Sequence, residues 1–393
     1  MGSGSLHLQP RSRHPAGYAD GACVARRQPR DRQGSNPVSE IPKPRVAVVL
    51  FNLGGPDGPK AVRPFLFNLF NDPAIIGLPT PARACLATLI STTRAKSARA
   101  NYDRMGGCSP LLKETEAQRQ ALEAELARAR PDLDTRVFVA MRYWKPTTEQ
   151  CARQVEAFAP EEIVLLPLYP QYSTTTTASS LEAWTKAYKG SGATRAVCCY
   201  PDEDGLVDSH VHKIQAVMTA AGRLPAVRIL FSAHGLPERA IAAGDPYQWQ
   251  IERTCAAVAE RLGGAWAAEL DWKVCYQSKV GPLKWIGPST PAAIEEAAHE
   301  GLGVVVVPIA FVSEHIETLV ELDHDYAVLA EQVGCPFYLR APAIGIDSSF
   351  IGGLGRLVSG ALKKPGGIES GCGGRICPRT WGKCPVHVEG EAA

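Results

Sequence analysis

Short apolar runs that each give way to a polar or glycine-bearing loop, with helix-forming segments between them, recur along this chain of 393 residues. The runs are Arg45–Leu53, Arg136–Met141, Glu162–Tyr169, Ala196–Tyr200, Val227–Phe231, Trp272–Tyr276, Gly303–Ala310 and Phe337–Ala341. Between or after them lie Leu111–Arg130, Thr148–Phe158, Leu181–Tyr188, His210–Ala221, Tyr247–Leu262, Ile316–Val333 and Ser348–Leu362, which read as helices. A strand covered on both faces is apolar throughout instead of alternating, and strand–helix alternation is the signature of parallel βαβ units. The pattern restarts after Tyr188, which predicts two similar α/β halves, residues 45–190 and 191–347. The last helix, 348–362, follows the second half with little linker and is expected to pack back on the first.

Composition narrows the function. A formal net charge of +2 with 21% charged residues lacks the basic excess of a nucleic-acid binder. The longest strongly apolar stretch, Val304–Val312, contains Pro308 and is far shorter than the ~20 residues a membrane helix needs. Residues 1–44 are rich in Gly, Ser, Pro and Arg without apolar periodicity and read as a disordered extension. Their Arg- and Ser-rich make-up suits an organellar transit peptide but shows no amphipathic face, and a bacterial extension or upstream start accounts for it equally. Of twelve cysteines, most fall in core-like segments, while Cys372, Cys377 and Cys384 sit in a Gly-rich tail, 363–393. Gly54-Gly55-Pro56 closes the first strand but lacks the G-x-G-x-x-G spacing of a nucleotide cradle.

Two segments carry titratable groups at strand ends, where ligands collect in open α/β sheets. In Ser232-Ala233-His234-Gly235-Leu236-Pro237 one histidine follows an apolar run. It is either a catalytic imidazole or an ordinary loop residue that is solvated or caps a helix. In the second segment Glu314, Glu317, Glu321 and Asp325 recur at i, i+3 and i+4 steps, which on an α-helix places them on one face. Such a stripe is either solvated or crossed by cations. An imidazole opposite carboxylates suits a divalent ion such as Fe2+, held weakly enough to pass on. Loops at other strand ends add Tyr102, Ser109, Arg142-Tyr143-Trp144 and, in Gln277–Pro288, Trp285.

Five motifs in order give this chain a resemblance: Phe51-Asn52-Leu53-Gly54-Gly55-Pro56, Tyr169-Pro170-Gln171-Tyr172-Ser173, Ser232–Pro237, Gln277-Ser278-Lys279-Val280-Gly281-Pro282 and Ser313–Leu319. From about Val46 to Leu362 the chain closely resembles the ferrochelatases. The resemblance implies two Rossmann-like halves, each a parallel sheet flanked by helices, with the active-site cleft between them. It implies insertion of Fe2+ into protoporphyrin IX, giving haem and two protons, with coproporphyrin or another metal as alternatives, and a non-catalytic iron or haem binder as the contrasting class. His234 and Glu317 take the catalytic positions, and Glu321 and Asp325 extend them as a path for metal or protons. Tyr102, Arg142, Phe311 and Trp285 match pocket-lining positions, while Arg94 and Ser109 match groups that hold the porphyrin propionates.

The tail resembles the C-terminal cysteines by which some members hold a [2Fe-2S] cluster, implying Cys372, Cys377 and Cys384 as ligands. Four thiolates are needed. Animal members take the fourth from the loop after Tyr-Pro-Gln-Tyr-Ser, where this chain has Thr174. Cys199 or Cys198 is the expected donor, with Cys151 and Cys108 behind them, and zinc or free thiols remain open for the same tail. The expected partners are protoporphyrin IX and Fe2+, with no nucleic acid. A cytoplasmic location, peripheral contact with the inner membrane and a homodimer complete the expectations.

Overall fold

The computed structural model describes residues 42–222, 226–266 and 270–386, so the expected N-terminal extension lies, up to residue 41, outside the described residues. Strand β1 (Arg45–Asn52) is buried from its second residue on, which is what a run of Val, Leu and Phe requires. Its side chains alternate between two cores. Val46, Val48 and Leu50 join Leu122, Leu126 and Phe350 on one face. Ala47, Val49 and Phe51 join Val155, Phe158 and Trp184 on the other. On either side β1 pairs in parallel with β2 (Asp134–Met141) and β3 (Glu162–Pro167).

The second sheet repeats the arrangement. Strand β5 (Val227–His234) lies between β6 (Trp272–Gln277) and β7 (Gly303–Pro308), and β8 (Tyr338–Arg340) pairs with β7, all parallel. Ile229, Phe231, Val305 and Val307 face one core, Leu230, Val304 and Val306 the other. The two-sheet α/β architecture read from the sequence is therefore the one observed.

One strand lies in a different sheet from the one expected. The apolar run near Ala196, read as the opening of the second half, forms β4 (Ala193–Val197) and pairs with β3 of the first sheet. The helix Ser179–Ala187 makes that crossover. Periodicity predicts a strand but carries no information on which of two parallel sheets accepts it. A fifth strand, β9 (Gly367–Glu369), comes from the tail and pairs with β4, giving the order β2-β1-β3-β4-β9. The helix Ser348–Leu362 packs on the first lobe, with Phe350, Leu354, Leu357 and Val358 in its core.

Two helical features have weak signatures in the sequence. The helix Thr80–Asp103 buries, besides Tyr102, only the small residues Ala87, Ser91 and Ala95, which leave no apolar stripe to read. The acidic segment expected as α-helix from Ile316 opens as a π-helix, Glu317–Asp325, before turning α-helical at Tyr326–Gln332. A second π-turn, Thr174–Ala178, follows the Tyr-Pro-Gln-Tyr-Ser motif. Wide turns of this kind are rare and concentrate at functional sites.

Candidate active site

His234 is the last residue of β5, so its backbone belongs to the sheet while its ring projects beyond the strand end. The strand-end carbonyl of His234 accepts a hydrogen bond from Tyr247 Oη at 3.0 Å. Gly235 follows because nothing larger fits: a Cβ there would lie 3.0 Å from Trp285 Cε3 and 3.2 Å from the Gln277 carbonyl. That close approach lets the loop after β6 lay Trp285 edge-on to His234, ring centroids 6.2 Å apart.

The acidic segment arrives from β7. Gln118, on the helix Leu111–Ala129 of the first lobe, fixes its approach: its amide donates to the carbonyls of Val312 at 2.8 Å and Gly345 at 3.0 Å, and its carbonyl accepts from Ser313 Oγ at 3.0 Å. Glu317 then meets His234, with Nδ1 to Oε2 at 3.0 Å. His315, which the sequence reading left without a role, lies 3.7 Å from the same carboxylate oxygen and packs against Phe311, ring centroids 4.2 Å apart.

Opposite charges set the protonation of the pair. Burial pulls the His234 imidazole down, but the Glu317 carboxylate beside it outweighs that, and its pKa ends above the ordinary histidine value. Burial works against ionised Glu317 too, yet His234 and His315 hold it well below the usual carboxylate range. Glu321 behaves differently: burial and the neighbouring Glu317 charge raise it, while Ser278 Oγ donates to it at 2.8 Å and Tyr326 Oη at 3.3 Å. Asp325 ends the stripe near solvent, where Arg104 of the first lobe reaches it at 3.1 Å. Glu314 does not join the stripe; it turns to Arg340 at 2.6 Å and the Ala343 amide at 2.8 Å.

From the first lobe, buried Tyr102 faces Glu317 closely enough that the carboxylate, after burial, raises its phenol. Imidazole and carboxylate thus meet, with the phenol near enough to feel the carboxylate's charge. This geometry sits within a chain whose residues 45–362 match the ferrochelatase family model. The chain belongs to the ferrochelatase family. A ferrochelatase of Caulobacter vibrioides is 60% identical over 350 residues, covering 89% of this chain and 99% of that one. A ferrochelatase of Phenylobacterium zucineum is 58% identical over 348 residues, covering 88% of this chain and 100% of that one. Among solved structures, SirB from Bacillus subtilis with Fe3+ is similar over 81% of this chain and 95% of that chain, at 11% identity and a TM-score of 0.45. The protein is accordingly a metal chelatase of the last step of haem biosynthesis.

The other expected ferrochelatase positions fall into three situations. Trp285, Phe311 and Tyr102 flank the His234–Glu317 pair, as described. Arg142 is held within the first lobe: its guanidinium bonds Asp72 Oδ2 and Ser179 Oγ, each at 2.7 Å, and Tyr143 Oη donates to the same Asp72 oxygen at 2.8 Å. Buried Asp72 was absent from the sequence reading; with no motif around it, only the side chains of Arg142, Tyr143 and Ser179 that converge on its Oδ2 reveal it. Arg94 is exposed on the helix that carries Tyr102, eight residues earlier and therefore about 12 Å along the axis. Ser109 bonds the Pro56 carbonyl through its amide at 2.8 Å, and a Cβ on Gly55 would lie 2.4 Å from its hydroxyl.

The cysteines meet elsewhere. Cys198, Cys199, Cys377 and Cys384 are buried together with Tyr172 and Val386 just beyond the end of β4. The tail reaches them because β9 lies along β4, the Cys198 amide bonds the Glu369 carbonyl at 2.8 Å, and the Gly371 amide bonds the Cys199 carbonyl at 2.7 Å. Arg375 then gathers the tail around itself, donating to the carbonyls of Cys377, Val386, Pro378 and Trp381. Of the expected ligands, Cys372 is not in this nest: it is exposed, with Sγ 3.7 Å from Asp202 Oδ1. Cys151 is buried in a core of the first lobe and Cys108 is exposed. Thr174 is engaged by buried Asp245, which accepts from its amide at 2.8 Å and its hydroxyl at 2.7 Å. Among the described residues, no group of three or more His, Cys, Asp or Glu side chains is arranged to hold a metal ion.

Proposed function

We propose that this ferrochelatase inserts Fe2+ into protoporphyrin IX at the His234–Glu317 pair. The observation that carries the reading is the 3.0 Å contact between His234 Nδ1 and Glu317 Oε2 at the ends of two strands of one sheet. Two pyrrole N–H protons must leave as the dication enters, so the site needs acceptors of moderate basicity and a negative path for the metal. In the free enzyme Glu317 favours the protonated form of His234. When Fe2+ approaches the carboxylates it supplies the positive charge that favoured protonated His234, so the imidazole gives any proton it holds to solvent along the acidic stripe past Asp325, and its free Nε2 then takes one pyrrole proton. Glu321, raised by burial and by Glu317, is the acceptor for the second. Asp325, at the exposed end of the stripe, is where iron enters or protons leave.

Phe311, Trp285 and Tyr102 supply flat and edge contacts for a macrocycle. Ser109 and Arg94 are the propionate partners in this reading, and Arg142, anchored by Asp72, keeps a fixed positive charge on the same side. Among the described residues no helix is long and apolar enough to cross a membrane. Leu89, 60% exposed on the helix that carries Arg94, and Leu78, 42% exposed just before it, support peripheral contact with a bilayer, the phase in which a poorly soluble porphyrin resides.

The tail reading belongs to the same proposal: four buried thiols fit the four-cysteine donor set of a [2Fe-2S] cluster. Such a group supplies one-electron redox chemistry and a cross-link between the tail and the first sheet. The decisive assay for the activity is anaerobic, with Fe2+ and protoporphyrin, following the absorption of the haem product. Haem formation is expected. Porphyrin left unchanged, with coproporphyrin or another metal consumed instead, overturns the substrate assignment, and binding without turnover of any of them overturns the mechanism.

A further inference from the structure

We infer that the iron–sulfur ligands of this chain are Cys198, Cys199, Cys377 and Cys384, that Cys372 is not one of them, and that Gln250 is the hydrogen-bond donor that positions the two thiol pairs. The inference rests on the [2Fe-2S] reading above and names its residues. Cys198 and Cys199, at the end of β4, bring their sulfurs to 3.5 Å from one another. In the tail, Cys377 and Cys384 form a second hydrogen-bonded pair. A single tetrahedral ion asks for four donors around one point, whereas a two-iron cluster asks for two donors on each of two irons. Cys198 with Cys199 and Cys377 with Cys384 supply two such pairs. That arrangement favours the binuclear group over zinc.

Gln250, buried on the helix Tyr247–Trp266, spans the pairs, its Nε2 lying 3.4 Å from Cys199 Sγ and 3.1 Å from Cys377 Sγ. Its Oε1 accepts from the Tyr172 amide at 2.7 Å, which fixes the NH2 edge towards sulfur. Amide donors to ligand sulfur are one of the means by which a protein sets a cluster's potential. Cys372 is separated from this geometry by its own neighbours. Gly371 before it is seated so tightly that a Cβ would lie 2.6 Å from Leu357 Cδ2 and 2.8 Å from Tyr200 Cβ. Gly373 and Gly374 after it both have positive φ, 77° and 70°, and the Cys372 thiol faces Asp202.

The test uses the full chain purified without oxygen, with iron and acid-labile sulfide measured per chain and the reduced cluster followed by electron paramagnetic resonance. The parent protein is expected to carry iron and sulfide in equal amounts; zinc without sulfide, or neither, overturns the [2Fe-2S] reading itself. Given a cluster in the parent, Cys198→Ser and Cys377→Ser should lose it at least tenfold while Cys372→Ser keeps the parental content. A Cys372→Ser protein without cluster, or a Cys198→Ser protein that retains it, overturns the ligand assignment, and the first of these decides the matter even if Cys198→Ser does not fold. Gln250→Met should keep the cluster with a lower midpoint potential, because an N–H donor to sulfur has been removed; an unchanged potential refutes its role.

Discussion

The His234–Glu317 pair and the cysteine nest are both assembled where a strand end meets a segment from later in the chain, yet they differ in every physical respect that matters for chemistry. His234 is 36% exposed and has the Glu317 carboxylate at 3.0 Å. The four thiols are buried among Tyr172, Trp249, Trp381 and Val386, and hydrogen bonds between neighbouring thiols, then burial, raise the pKa of Cys199 and Cys377. A charge is costly to desolvate, so a charged site must open on solvent or substrate, and in a parallel sheet the opening lies beyond the strand ends. A thiol is a small hydrophobe and tolerates full burial, so it needs no such address. The expectation that follows is that changes in the cleft alter turnover more than the fold, and changes in the nest alter how the tail is held more than turnover.

The sharpest way to break that contrast is His234→Ala, which should lower kcat by about 10²–10⁴-fold while the melting temperature stays near that of the parent. A large loss of stability with turnover preserved would reverse the roles of the two regions. Glu317→Gln should cost roughly 10–100-fold in kcat and also displace the pH profile. Glu317 raises the His234 pKa in the free enzyme, so in the parent kcat/KM falls as pH drops through a value above the ordinary imidazole pKa of about 6.5. Without the carboxylate that acid limb should move to lower pH, and a pH–rate profile in which it stays put would remove Glu317 from the role of partner.

On the other side of the comparison, Gly371→Ala puts a methyl group into the backbone-tight seat against Leu357 and Tyr200, and should destabilise the docked tail by about 1–3 kcal/mol. Thermal unfolding and limited proteolysis of the tail would register this, with kcat for haem formation unchanged to within a factor of two or so. The smallest effect expected is that of Arg104→Ala. Its contact with Asp325 joins two half-exposed groups, so stability should change by less than about 1 kcal/mol. What should move is the KM for Fe2+, downwards, because Arg104 no longer competes for the outer carboxylate. A KM that stays constant across ionic strength in both proteins would place Asp325 off the iron path.

Legibility followed the same division. His234, Glu317, Glu321 and Trp285 could be read because each stands on or just past a motif at a strand end. His315, Gln118 and Asp72 could not, because a single histidine, glutamine or aspartate has no signature until its partners arrive from distant segments. Gln118 is recognised by the carbonyls of Val312 and Gly345, nearly 200 residues away and more, which only folding brings to it. The π-helix that carries Glu317 escaped for a different reason: acids four residues apart fit an α-helical and a wider turn alike, and sequence spacing does not separate them.

Local physics thus decided the elements of this protein from its sequence: apolar runs must become covered strands, Ala- and Glu-rich stretches between them must become helices, and polar groups must gather at the ends where strands stop. Tertiary structure decided the pairings, because hydrophobic periodicity is blind to partner. It placed β4 in the first sheet instead of the second, brought Glu317 to His234 by way of Gln118, and chose Cys198 over Cys372 for the nest. Each of these is a contact between residues far apart in the chain, set by which surfaces can be buried together.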